Sequence, residues 1–442
     1  MQKLRFILSF ILSLTVTHGT WAQEKVMSLN DCLIYARDHA FANRSNRLGV
    51  EQAKMDKRIQ VASMLPSIGF STGGDLSFGR GVDPETNTYD TKKTFNNGYS
   101  LSMQLPLFDG MVSLNTYRAA HMSELMQGKA AENEADQISL AVIKAYYNIM
   151  YYAALEKQME SLLESDRHNL AMTERQEQLG SKSEADVNEV KAMVASDEYE
   201  LLNQQNLKRK AMIELKAQMG MEMSEEFFLS EELGEKENST LLTPNSTPSI
   251  IHPRIMQAEY ALQHSRYQLR AAYGNFMPRI SLNGGISTSY YKVLGEDYKA
   301  PSFSSQWHDN MGQYIGFSFS LPLFNGLANI NRLKRAKLAY RQQQIELDKT
   351  RYEIEREMNE ALLNVNAAES EWHAAEAHVK AEELSNRAMQ RKYELGGVPA
   401  LDLYTSNSKL ATARATLVGK QIQTIINRII YEYYQGIPLI RE

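Results

Sequence analysis

Two hydrophobic periods alternate along the chain. Over residues 313–321, apolar Ile315, Phe317, Phe319 and Leu321 alternate with Tyr314, Gly316, Ser318 and Ser320. A period of two describes a strand, here with one greasy face and one mostly small and polar. Residues 100–105 repeat the pattern, and residues 280–287 and 68–72 give weaker versions. Four strands are predicted, in two pairs at 66–106 and 278–322, each pair joined by a polar, Gly-containing loop at about 80–97 and 292–311.

Elsewhere the period is helical. No proline lies between Pro106 and Pro244 or between Pro322 and Pro399, and these tracts are mostly Ala, Leu, Glu, Lys, Gln and Met. Val187, Val190, Val194, Leu201 and Leu202 form one apolar stripe; Leu410, Leu417, Ile422, Ile425, Ile426, Ile429, Ile430 and Tyr433 form another. Such stripes require partner helices. At about 1.5 Å per residue, a continuous helix over 113–180 would be roughly 100 Å long, the scale of an elongated coiled coil or helical array.

Aromatic residues cluster near the strand ends. Phe78, Tyr99, Tyr290, Tyr291 and Tyr314 lie on the loop side, and Phe108, Phe276 and Phe324 on the helix side. Two girdles flanking alternating strands favour a transmembrane β-barrel over a soluble sandwich. Four strands cannot close a barrel, and an open edge in lipid leaves backbone groups unsatisfied, so oligomerisation is required. Two chains give eight strands and a filled interior; three give twelve and room for a passage. The small inward Ser, Gly, Asn and Gln set favours a homotrimer.

The chain also repeats itself. LPLFDG at 105–110 returns as LPLFNG at 321–326, 216 residues on, and the same offset relates Leu179-Gly180 to Leu395-Gly396 and Asp186-Val187 to Asp402-Leu403. The expected organisation is a first repeat at 23–220, a linker at 221–250 lying against the helices, a second repeat at 251–436 and a tail at 437–442. Pro106, Asp109 and Gly110, with Pro322, Asn325 and Gly326, mark strand-to-helix junctions: Pro ends strand pairing, and Asp-Gly or Asn-Gly begins the turn.

Composition narrows the class. Among 442 residues, 48 Lys+Arg against 53 Asp+Glu give a net charge of -5, so nothing marks a nucleic-acid binder. The single cysteine, Cys32, excludes an internal disulfide framework and a cysteine-cluster zinc site. Lys3 and Arg5 before an apolar run, then Thr20-Trp21-Ala22, read as a signal peptide over 1–22. No segment reaches eighteen consecutive apolar residues, so entry into a membrane must be as strands. His373 and His378 share a helical face poorly, and the Tyr146-Tyr147 and Tyr151-Tyr152 pairs fit helix packing. No phosphate loop, catalytic triad or metal cluster stands out, so neither an enzyme nor a cofactor is expected.

The signal peptide, the tandem halves, the LPLF exits and the Leu-Gly turns followed by Asp186 and Asp402 together resemble the TolC family of outer membrane efflux proteins. The resemblance implies a mainly α homotrimer whose twelve-stranded outer-membrane barrel continues as a long α-helical coiled-coil barrel through the periplasm of a Gram-negative bacterium. It also implies a passive duct working with a periplasmic adaptor and an inner-membrane pump of RND or ABC type. In that family the periplasmic end closes like an iris. By position, Asp186, Tyr393, Asp402 and Thr405 fall in the constriction, Thr405 standing where the family has a second aspartate and Val398 where it has arginine. Gly180, Gly396 and Gly397 fall at the tips where an adaptor docks. Ordinary alternatives stand beside each: helix capping for Asp186 and Asp402, and left-handed turns for the glycines. The rival class is a secreted periplasmic coiled-coil structural protein with a soluble β cap.

Overall fold

The computed structural model describes residues 26–82, 87–230, 252–295 and 301–440. The expected signal peptide, linker residues 231–250 and tail residues 441–442 lie outside the described residues. In chain order the elements are β1 (Val26–Met27), α1 (Leu29–His39), α2 (Phe41–Ala62), β2 (Ser67–Val82), β3 (Tyr89–Phe108), α3 (Val112–Gln178), α4 (Glu184–Met219) and β4 (Phe228–Leu229). Then come α5 (Pro253–Gly274), β5 (Arg279–Leu294), α6 (Phe303–Asp309), β6 (Gly312–Ser320), α7 (Ala328–Glu394) and α8 (Ala400–Tyr434).

The first Pro-free tract holds two helices, α3 and α4, and the second holds α7. α3 and α7 each have 67 residues, and the starts of α3 and α4 recur 216 positions later as those of α7 and α8. The paired 22-residue α2 and α5, and the paired 16-residue β2 and β5, are instead 212 apart. The second repeat therefore holds four more residues between its first strand and its long helix, in the segment that carries α6.

The chain divides into two compact units. One comprises the chain up to Ser45, Asn133–Ile250 and the residues from Ile354 onward; the other comprises Asn46–Glu132 and Ile251–Glu353. The first is helical. Its core gathers Cys32, Leu33 and Ala36 of α1, Val142, Ile143 and Tyr146 of α3, Ala211, Leu215 and Met219 of α4, and Ile422 and Tyr433 of α8. Cys32 is fully buried, and the Tyr146-Tyr147 pair is packed in this core. Ion pairs line up the antiparallel hairpins: Arg167–Glu198 and Lys208–Glu156 join α3 to α4, and Arg414–Glu383 and Arg428–Glu369 join α7 to α8. A parallel β1–β4 pair, which no periodicity announces, fastens the start of the described chain beside residues 221–230, where Met221 and Phe227 are buried. Gly220, with φ +69°, closes α4 so near α1 that a Cβ would lie 2.7 Å from the His39 carbonyl oxygen.

The second unit carries an antiparallel sheet in the order β2-β3-β5-β6. Two expectations need correction. The 80–97 loop is mostly strand: β2 and β3 stay in register from Ser67↔Gln104 to Val82↔Tyr89. Its Thr, Lys and Asn residues read as loop, but both faces of a strand that is not buried accept polar side chains. Pro106 does not end pairing either; β3 continues past it to Phe108 through a register shift, opposite Ser281 and Ile280. β2 begins opposite Gln104, so at Pro106 the strand has one neighbour, which is where a missing N–H is tolerated. In the second repeat β6 stops at Ser320, two residues before Pro322.

The two faces of the sheet differ in kind. Ile68, Phe70, Leu101, Ile286, Ile315, Phe317 and Phe319 share one face and are all exposed. The other carries Ser71 hydrogen-bonded to Ser100 at 2.7 Å and Asn283 donating to Ser318 at 3.1 Å, with Ser102 and Gln104 alongside. Above the start of β6, α6 covers the free edge of β5. The Gln306 amide donates to the Tyr291 carbonyl at 3.0 Å and accepts from its N–H at 2.9 Å, as a strand would. Phe303 and Trp307 pack against Tyr99 and Tyr290 on the apolar face.

Candidate functional site

Three places combine unusual geometry with chemistry: the hairpin ends, the strand exits and a buried polar cluster between helices. At the hairpin ends the two repeats close identically. Gly180 N donates to Glu177 O and Ser181 N to Gln176 O; Gly396 N donates to Tyr393 O and Gly397 N to Lys392 O, at 2.8 to 2.9 Å. Gly180 and Gly396 sit at φ +74° and +73°, the left-handed residue this closure needs. Leu179 and Leu395 beside them are 77% and 87% exposed, unusual for leucine in a turn and suited to contact with another molecule.

The helices that return from these turns start differently. Ser183 caps α4, and Asp186 completes a capping box: its Oδ2 accepts from the Ser183 N–H and hydroxyl, both at 2.8 Å. The backbone and then the side-chain hydrogen bond hold the Asp186 carboxyl below its usual range. α8 has Pro399 at its cap with no side-chain cap bond, so Asp402, exposed in the same third position, has no such reciprocal partner. Ser-x-x-Asp against Pro-x-x-Asp was readable in the sequence and separates the two acids. Tyr393 is half-buried, its hydroxyl 3.4 Å from Thr173 Oγ1 on α3, and the exposed Thr405 donates to the Leu401 carbonyl at 2.8 Å. Among the described residues no hydrogen bond joins Asp186, Tyr393, Asp402 and Thr405 to one another within the protomer.

At the strand exits the repeat is preserved in backbone angles. Gly110 and Met111 have φ +74° and +64°, and Gly326 and Leu327 both have +64°. Asp109 Oδ2 receives the Ser113 N–H at 2.7 Å, and Asn325 Oδ1 receives the Asn329 N–H at 3.4 Å, so each polar residue ahead of Gly helps start its long helix.

The third place escaped the sequence reading. Asp166 of α3 and Asp197 of α4 are 3% and 5% exposed. Asp166 Oδ1 accepts from Asn169 at 3.2 Å and from Asn407 of α8 at 3.4 Å; Asp197 Oδ1 accepts from the Tyr404 hydroxyl of α8 at 3.3 Å. Asn386 of α7 donates to Asn407 and Ser406 of α8 at 2.8 and 3.2 Å. Burial first, and contact with Asp166 second, push the Asp197 carboxyl up to about 7. A signal existed: Asp197 continues the spacing of Val187, Val190, Val194 and Leu201, so a carboxylate occupies an apolar stripe.

Among the described residues no helix is long and apolar enough to cross a membrane, and no group of acids, histidines and cysteine forms a metal site. A four-stranded sheet with one exposed apolar face, followed in each repeat by a glycine turn and a 67-residue helix, is the protomer architecture. The outer membrane efflux protein model matches residues 36–221 and 251–429, and the chain belongs to that family. It is therefore a transport duct rather than an enzyme. The cation efflux system protein CusC of Escherichia coli O6:H1 is 21% identical over 411 residues, 91% of this chain and 83% of that protein. A crystal structure of CusC overlays with a TM-score of 0.77 at 19% identity, covering 92% of this chain and 91% of that one. The outer membrane protein VceC of Vibrio cholerae gives 0.75 at 17% identity, covering 92% and 96%.

Proposed function

We propose that three copies of this chain close a twelve-stranded barrel in the outer membrane of a Gram-negative bacterium, with the long helices forming a periplasmic passage. The observation that carries this reading is the four-stranded sheet: its apolar face is exposed, and among the described residues β2 and β6 each have only one partner strand. An unpaired edge beside lipid costs several kcal/mol per backbone group, and neighbouring copies remove it. The small polar face then lines a lumen.

In the helical unit, the exposed Leu179 and Leu395 with Gly180, Gly396 and Gly397 offer the tips to a periplasmic adaptor, which links the duct to an inner-membrane pump of RND or ABC type. Asp402, Thr405 and Tyr393 are the constriction residues in this reading, Asp402 giving a negative ring that favours cations. Asp186 contributes less, because its carboxylate is engaged by Ser183. Light scattering and native mass spectrometry of the chain extracted in detergent should return a trimer that conducts in planar bilayers. A monomer that stays soluble without detergent would instead support the structural protein with a β cap.

A further inference from the structure

We infer that Asp166 and Asp197 share a single proton, and that this proton latches α3 to α4 within the helical unit, so that the seam between these two helices loosens when it is lost. Both carboxyls are more than nine-tenths buried, and Oδ2 of each has no hydrogen-bond partner although each Oδ1 is bonded. The two carboxyls converge on one turn of α8, where Asn407 donates to Asp166 and Tyr404 donates to Asp197. Ionised, neither can donate, so the contact is repulsive; with one proton it becomes a strong, charge-assisted bond between α3 and α4.

Among the described residues, the hydrogen bonds to the two carboxyls come from Asn169, Asn407 and Tyr404, and no ion pair reaches either acid. The titratable groups at the pair are Asp166 from α3, Asp197 from α4 and Tyr404 from α8, while α7 brings only the neutral Asn386. The basic residues close by are turned outward into exposed pairs, Arg167 to Glu198 and Arg414 to Glu383. The raised Asp197 carboxyl is consistent with this environment. Tyr404 also lines an open groove with His378, Glu382, Thr405, Ser408 and Lys409, which makes its phenol the polar link between Asp197 and solvent. Because the latched seam binds a proton that the loosened seam releases at an ordinary carboxyl range, latching is favoured in acid. It is lost progressively as pH rises from about 4 toward 7.

Difference infrared spectroscopy of the full chain in detergent tests the proton. A protonated-carboxyl band should disappear between pH 5 and 8 in the native chain and be absent from Asp197→Asn and Asp166→Asn. Hydrogen exchange of the segments around residues 160–172 and 190–204, divided by intrinsic rates, tests the latch. It should rise roughly tenfold from pH 6 to pH 8 in the native chain and stay flat in Asp197→Asn. A native chain without the titrating band, or a band retained in both variants, overturns the shared proton even if a variant misfolds. A titrating band with pH-independent exchange overturns the latch. Only the bearing of the latch on conduction rests on the duct reading: a chain that shows both effects yet conducts nothing would sink that reading and leave the seam intact.

Discussion

Gly110 and Gly326 stand at equivalent positions of the two strand exits, both in left-handed backbone, yet in different surroundings. Alanine in that conformation costs about 1 to 2 kcal/mol, offset by about 0.4 to 1 kcal/mol from a stiffer unfolded chain. Around Gly326 there is nothing within 4 Å of where a Cβ would stand, so Gly326→Ala should destabilise by about 1 kcal/mol. At Gly110 the Cβ would land on the Gly274 carbonyl oxygen and 2.7 Å from Met277 Cβ, atoms that no rotamer change can move aside. Overpacking of this kind adds about 1 to 3 kcal/mol. Gly274→Ala should behave the same way, since its Cβ would meet the Gly110 carbonyl oxygen and lie 2.8 Å from Val112 Cγ2. Irreversible unfolding is expected of such an assembly, so the assay is the thermal inactivation half-life of the detergent-purified chain at one temperature. About 1.4 kcal/mol on the unfolding barrier shortens it tenfold. Equal half-lives for Gly110→Ala and Gly326→Ala, or a shorter one for Gly326→Ala, would refute the close-approach reasoning.

Leu215→Ala removes a fully buried side chain from the core that joins α1, α3, α4 and α8, and should cost about 2 to 5 kcal/mol, read as a lower denaturation midpoint. The Asp186 cap is held by a depressed carboxyl, so its stabilisation is present above the usual carboxylate range and lost as pH falls through the lowered value. Proteolysis at the first hairpin should accelerate on that acid side, and Ser183→Ala should remove the transition. Asp402→Ala should change cation preference or divalent block in single-channel recordings while leaving helical content unaltered; no change in either current property would reduce Asp402 to an ordinary first-turn acid.

The long helices were legible because nothing in their tracts breaks a helix: the Pro-free stretch around 113–180 is the single helix Val112–Gln178. The LPLF offset of 216 recurs in the starts of all four long helices, since a motif at a junction sets where the next helix begins. The upper halves of the first hairpin were hidden, because Thr91, Lys92, Lys93 and Asn96 are strand residues only by virtue of the strands beside them. The β1–β4 pair was hidden for the same reason, two residues being too few to show a period. At the candidate site the glycine turns could be read from local conformation alone. The meeting of Asp166 and Asp197 could not, because the two acids lie on consecutive helices and are brought together only by the folding back of α4 and by their shared bonds to α8.

The equal length of α3 and α7 has a consequence for how this chain can change. One residue inserted into either helix would turn every side chain beyond it by about 100° and advance its end by about 1.5 Å. The apolar stripe would leave its seam, and one hairpin would overshoot the other. A tolerated change of span must therefore arrive as whole heptads, written into all four long helices together. The two repeats act as each other's ruler, and surface loops such as the segment holding α6 are left as the places where length can drift freely.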